Sequence, residues 1–112
     1  TDDSRFERIN RHVVHLINKN LHEYDVLGDV ETGVFAVILV GQGTDKARIW
    51  GDKIRNSAAI SVIEIDNRRF TVTLSIGIAQ ISPADSLESL LGNCGKVLNI
   101  AIAKTNCVQV YH

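Results

Sequence analysis

His12, His15 and His22 are the first side chains in this sequence whose type and spacing could do chemistry. Imidazoles three residues apart on a helix are neighbours and can share a metal ion. No third ligand is placed by the spacing, so these residues read as solvated histidines on the polar side of a helix, with no metal. Cys94 and Cys107 do not form a metal-type pair either. The first sits in a helical pattern and the second begins a strand, so two free thiols in a reducing cytosol are expected. A third feature concerns the backbone. Tyr24 to Val40 reads YDVLGDVETGVFAVILV, which predicts a β-hairpin with strands Tyr24–Leu27 and Val34–Val40. Its turn spans Gly28 to Gly33, the second strand is buried, and Gly33 is free to take the positive φ of a tight turn.

The rest of the chain must position that hairpin. Phe6, Ile9, Val13, Leu16, Ile17 and Leu21 recur at three- and four-residue spacing and predict a helix from about Ser4 to Leu21, capped by Asp2, Asp3 or Ser4. After Gly41-Gln42-Gly43, Thr44 is the expected cap of a second helix burying Ala47, Trp50, Ile54 and Ala58, with Gly51 a weak point inside it. Ile60 to Ile65 is a short β-branched run, and Asp66-Asn67-Arg68-Arg69 reads as a turn. Phe70 to Ala79 is the cleanest strand: Phe70, Val72, Leu74, Ile76 and Ile78 alternate with small residues. Leu74 and Ile76 are expected deep in the core, with something packed close on the small face. Asp85 and Glu88 have capping-box spacing before a helical stripe of Leu87, Leu90, Leu91, Cys94, Val97, Leu98 and Ala101. Cys107 to Tyr111 closes the chain as a short strand.

Composition excludes several classes. The chain has 112 residues, 45% hydrophobic and 22% charged, which suits one globular domain. A formal net charge of −1 gives no electrostatic reason to expect nucleic acid or an anionic membrane as partner. No apolar run approaches the ~18 residues of a membrane span. No signal-peptide pattern heads the sequence, so a cytoplasmic location is expected. The start at Thr1, with no Met anywhere, suggests a segment of a longer polypeptide. Without repeats or linkers, residues 1–112 read as a single α+β domain, an antiparallel or mixed sheet covered by helices.

At this point the sequence resembles a family, the GGDEF domains or diguanylate cyclases. Their hairpin carries Gly-Gly-Asp/Glu-Glu-Phe and runs into a strand like Phe35-Ala36-Val37-Ile38-Leu39. Thr71-Val72-Thr73-Leu74-Ser75-Ile76-Gly77-Ile78-Ala79 resembles the family's Thr-Val-Ser-Ile-Gly-Ile-Ala strand. Leu21 to Asp25 resembles its Leu-Arg-x-x-Asp segment, and Leu87 to Leu91 a helix start, Leu-x-x-Leu-Leu. Val97-Leu98, Ala101, Asn106, Val108 and Tyr111 are similar to its closing segment, so the likeness covers residues 6 to 111. The fold it implies is nucleotidyl cyclase-like, a ferredoxin-like palm.

The same register sets the signature on Glu31-Thr32-Gly33-Val34-Phe35, and the catalytic chemistry the family needs is missing there. Glu31 and Thr32 replace glycines that let backbone approach a nucleotide. Gly33 stands where an acidic residue holds Mg²⁺, and Val34 where a second acidic residue stands. Asp29 replaces an Arg that usually precedes the signature. The resemblance therefore implies a degenerate domain with no cyclase activity, no catalytic residue, no metal and no cofactor. The family's inhibitory Arg-x-x-Asp, which binds cyclic di-GMP, falls on His22 and Asp25. His cannot reproduce the guanidinium fork, so Asp25 reads first as a chain-turning residue and the pair as a possible remnant.

Two functions stay open. One is a regulatory or interaction module in cyclic di-GMP signalling, with an EAL-type neighbour and protein partners, self-association included. The other is a sensor that binds GTP or cyclic di-GMP without turning it over. The family's first strand, with its Asp-x-Asp-x-Phe, has no counterpart before Phe6 in this chain. A second register would set Phe6-Glu7-Arg8-Ile9-Asn10 and His15 on the family's Phe-Lys-x-Ile-Asn…Gly-His helix, but it requires a deletion before the hairpin; the ungapped register is preferred. Either way, two strands would face an empty central place. They are expected to close on each other or to recruit a strand, with association and a dimer favoured.

Overall fold

The computed structural model of the chain describes residues 2–31 and 33–111. The elements in order are α1 (Asp2–Asn18), β1 (Val26–Glu31), β2 (Val34–Ile38), α2 (Thr44–Ile60), β3 (Ile63–Ile65), β4 (Arg68–Phe70), β5 (Ile76–Ile78), α3 (Leu87–Lys104) and β6 (Val108–Val110). This is the α+β class expected from the sequence. Pairing is both antiparallel and parallel, but among the described residues it forms three two-stranded ladders: β1–β2 and β3–β4 antiparallel, β5–β6 parallel.

α1 forms because its apolar positions fall on one face, which buries Val13, Leu16 and Ile17. It stops at Asn18 rather than Leu21. There the chain tightens into turns, with the Asn20 amide donating to the Ile17 carbonyl and the Leu21 amide to that of Asn18. The Asn20 side chain donates to the Leu16 carbonyl at 2.8 Å, and the Asn20 backbone carbonyl accepts from the Trp50 indole at 2.9 Å. The side chains proposed to cap α1, at residues 2–4, lie outside the described residues. His12 is half-buried, with its Nε2 buried and unpartnered among the described residues, so it is not the solvated residue expected; His15 and His22 are exposed.

α2 is capped by Gly43, not Thr44. Gly43 is extended (φ −79°, ψ 179°), its carbonyl accepts the first helical bond from Ala47, and no side chain caps the helix. Ala47, Gly51, Ile54 and Ala58 are buried, and Trp50 is only half-buried. Gly51 is a contact rather than a weak point: a Cβ there would stand 3.3 Å from Val108 of β6. The central cluster is Val13, Ile17 and Ile54, with Leu21, Leu27, Phe35, Val37, Trp50, Val72 and Leu74 packed against it.

The largest departure concerns Phe70–Ala79. The turn takes only Asp66 and Asn67, both at positive φ (52° and 63°), so Arg68 already returns as strand. β4 then ends at Phe70 because its partner β3 begins at Ile63, just after α2. Thr71 to Ser75 joins no ladder until β5 meets β6. Alternation shows which face of a strand is apolar, but a ladder needs a neighbour. β2 does not close on this segment among the described residues. Leu74 and Ile76 are half-buried rather than deep in the core. β2 is likewise half-buried, not buried.

The small face does receive a close neighbour. A Cβ on Gly77 would stand 2.5 Å from the Leu98 backbone nitrogen, so α3 lies directly on β5. α3 opens with a capping box of Ser86 and Ser89, one residue later than the Asp85–Glu88 pairing expected. Asp85 is engaged by the Ser82 amide and the Ser89 hydroxyl. The helix buries Val97 and Ala101, while Leu87 at its start is 72% exposed. Both cysteines are free and half-buried, and burial pushes the Cys94 thiol up from its ordinary value. No helix is long and apolar enough to cross a membrane, among the described residues.

Ile54, 1% exposed, is the best-buried large side chain. Ile54→Ala is expected to cost about 2–5 kcal/mol. Leu74→Ala, at a half-buried side chain, should cost clearly less. Urea melts of both variants check the order.

Candidate functional site

The tip of the β1–β2 hairpin is built by a short turn rather than by the long one expected. Glu31 pairs with Val34, so only Thr32 and Gly33 lie between the strands, and β1 extends to Glu31. A register shift between Asp29 and Glu31 bends the end of β1. Gly33 has φ +77°, the conformation its residue type was expected to supply. The ring of Phe6 lies 3.6 Å from where a Cβ on Gly33 would stand, so the first turns of α1 sit against this tip. Thr32 and the side chains of Asp29 and Glu31 lie outside the described residues.

The other two signature positions are apolar and half-buried. Val34 begins β2, and Phe35 packs on the central cluster. Neither Gly33 nor Val34 has a side-chain oxygen for a cation or a side-chain group that moves a proton. Among the described residues, no group of three or more His, Cys, Asp or Glu is gathered in a way that could hold a metal.

Beside the tip, a shallow cavity of about 290 Å³ opens between α1 and β2, lined by Glu7, Asn10, Arg11, Val14 and Phe35. Of these, only Phe35 was singled out as a site residue from the sequence. The second register, with Phe6-Glu7-Arg8-Ile9-Asn10 on a family motif, signals Glu7 and Asn10, and nothing in the sequence signals Arg11 or Val14. Arg11 supplies a cation with two or more donors, and Asn10 an amide able to donate and accept, at the edge of an apolar wall.

His22 and Asp25 are brought together, with His22 Nδ1 3.4 Å from Asp25 Oδ2. Their surroundings differ: the His22 side chain is 77% exposed and that of Asp25 is 1% exposed. Asp25 Oδ1 accepts from the Val40 amide at 2.9 Å and Oδ2 from the His22 amide at 2.8 Å. The carboxylate thus ties the chain leaving α1 to the chain leaving β2. Those amides, Val40 first and then His22, hold its pKa below the ordinary carboxylate value.

The sign of the pH effect follows. A carboxyl whose folded pKa is depressed contributes stability that is fully present above its unfolded value and is lost as pH falls through the folded one. The chain should therefore lose stability on acidification below the usual carboxylate range, about pH 4. Asp25→Asn should be less stable at neutral pH, and its stability should fall less over the same acid range. Urea melts at neutral pH and at about pH 3 check the difference.

No protein-family model and no curated protein matches the sequence. Solved structures do match the fold. The diguanylate cyclase SiaD of Pseudomonas aeruginosa, in complex with its activator SiaC, superposes with a TM-score of 0.85 at 16% identity, over 92% of this chain and 40% of that one. The GGDEF domain of DgcB from Caulobacter crescentus, in complex with c-di-GMP, gives 0.86 at 18% identity, over 92% of this chain and 63% of that one. An EAL/GGDEF domain protein from M. capsulatus gives 0.78 at 23% identity, over 95% of this chain and 70% of that one. This chain thus spans less than two thirds of the length of the first two. Its fold is that of the GGDEF, or diguanylate cyclase, domains.

Proposed function

We propose that this chain is a catalytically inactive GGDEF-like domain, a regulatory or interaction module in cyclic di-GMP signalling. The observation that carries the reading is the hairpin tip. Gly33 has no side chain and Val34 is apolar, where the resemblance places two acidic residues. A tip without those carboxylates cannot gather Mg²⁺ and triphosphate in the way the cyclase reaction requires. The domain then works through its surfaces, by self-association or by contact with a neighbouring signalling domain of a longer cytoplasmic protein. An EAL-type domain is the neighbour proposed, in line with the EAL/GGDEF protein that shares the fold. The SiaD complex with its activator is a precedent for a protein partner on this fold.

A second reading rests on the cavity beside the tip. Its Arg11, Asn10 and Phe35 would meet an anionic, aromatic ligand, so the alternative is a sensor that binds GTP or cyclic di-GMP without turnover. At about 290 Å³ it stands at the small end of ligand pockets, which weighs for the first reading. In the sensor reading His22 is the exposed member of the remnant inhibitory pair, because Asp25 already has a backbone partner on each oxygen.

Incubated with GTP and Mg²⁺, the domain should form no cyclic di-GMP. Product above a no-protein control that disappears in Glu31→Gln would show that Glu31 has taken the metal, and would end the inactive reading. Calorimetric titration with both nucleotides separates the two readings. Saturable micromolar heat, reduced in Arg11→Ala, selects the sensor, and absence of heat selects the interaction module.

A further inference from the structure

Arg8, Arg11, His15 and Lys19 are all exposed, and they fall on the side of α1 opposite the buried Val13, Leu16 and Ile17. Their spacing of three or four residues sets them in one row, with neighbours roughly 5–6 Å apart. The Lys19 amide donates to the His15 carbonyl at 3.1 Å, so Lys19 keeps the helical register one residue past the end of α1. At a rise of about 1.5 Å per residue the row runs for roughly 16 Å, most of the helix.

Among the described residues, the ion pairs join Arg5 with Asp66, His22 with Asp25, Arg55 with Asp52 and Arg69 with Glu64, and none includes a member of this row. Glu7, beside Arg8 in the chain, lies on the flank that lines the cavity with Phe35. Like charges three and four residues apart on a helix repel each other and weaken it. Arg8 and Arg11 are such a pair, and His15 with Lys19 becomes one when the imidazole is protonated. A local weakness that serves no ion pair among the described residues marks a surface kept for another purpose.

The row selects its partner by sign and interval. Single-stranded nucleic acid is held by aromatic side chains that stack on bases among the cations, and a membrane-surface helix sets large apolar side chains beside them. The row has neither. A helix with carboxylates at three- and four-residue spacing presents its charges at the same interval, so each meets a cation, and the two arginines can take theirs with two hydrogen bonds. No helix of this chain carries such a row: α2 has only Asp45 and Asp52, and α3 only Glu88. We propose that the outward face of α1 docks an acidic helix of a different protein through Arg8, Arg11, His15 and Lys19. This rests on the interaction-module reading and names a surface for it. Exposed ion pairs add little affinity each, so what the row supplies is orientation and a fast, salt-sensitive encounter.

The test is an NMR titration of the isotope-labelled 112-residue chain at low salt with two synthetic alanine-based helical peptides of equal composition. One peptide carries its glutamates in a row at three- and four-residue spacing, and the other has them spread around the helix. The row peptide should shift the amide resonances of Arg8 to Lys19 and bind about tenfold tighter than the spread one. Raising the salt to about 0.5 M should remove most of that binding. Arg8→Glu and Lys19→Gln should each weaken it several-fold. Arg8→Glu should leave the urea midpoint unchanged or higher, because it replaces a repulsion from Arg11 with an attraction. A lower midpoint would show that the row serves the fold, and overturns the proposal. Equal binding of the two peptides, shifts confined to other elements, or no shift at all overturns it too. Tighter binding of single-stranded DNA or of phosphatidylserine vesicles at the same face overturns it in favour of that ligand. The cyclase assay is independent of each of these outcomes, so the inactive reading stands or falls by itself.

Discussion

Everything in this small domain leans on the crossing of α1 and α2 at Ile54. That side chain is sealed by Val13 and Ile17 from the first helix. The same cluster receives Leu27 from β1, Phe35 and Val37 from β2, and Val72 and Leu74 from the segment after β4. The strands are therefore held in common by a helical floor rather than by one continuous set of hydrogen bonds. This explains how three separate ladders can share a fold whose relatives in the solved structures superpose on more than nine-tenths of the chain.

At the hairpin, the frame and the chemistry it could carry come apart. The hairpin keeps its turn, its glycine conformation and the apolar strand that follows, all of which are requirements of folding. It does not offer acidic side chains at Gly33 and Val34, which are requirements of metal binding and proton handling. Asp25 makes the same distinction from the other side. Its carboxylate is present, and its two oxygens accept from the backbone amides of Val40 and His22, a role in the fold.

The sequence made local features legible and left relational ones hidden. Helical periodicity located α1, α2 and α3, and the residue type at Gly33 announced its positive φ, because both are set by neighbours in the chain. Caps slipped by one residue, from Thr44 to Gly43 and from Asp85 to Ser86, since several adjacent residues there are all competent. The apparent single strand Phe70–Ala79 divided because hydrogen bonding depends on what stands alongside, which alternation does not encode. The Val40 partner of Asp25 is fifteen residues away, and the Glu7–Arg11 wall of the cavity faces a strand far along the chain. Gly51 is a weak point by helix propensity alone, and its reason is Val108, distant in the chain and packed where a Cβ would stand.

The separateness of the ladders also bears on the order in which the molecule assembles. β1–β2 and β3–β4 are hairpins closed by two-residue turns, so each needs only a short loop and can form early. β5–β6 must wait for the whole of α3 to be placed between its strands. Because no strand belongs to two ladders among the described residues, the loss of one removes no hydrogen bond from another, and partial opening can stay confined to one pair. The chain is in this sense built as three loosely coupled folding units on a shared helical base. The parallel pair is the slowest of them to form.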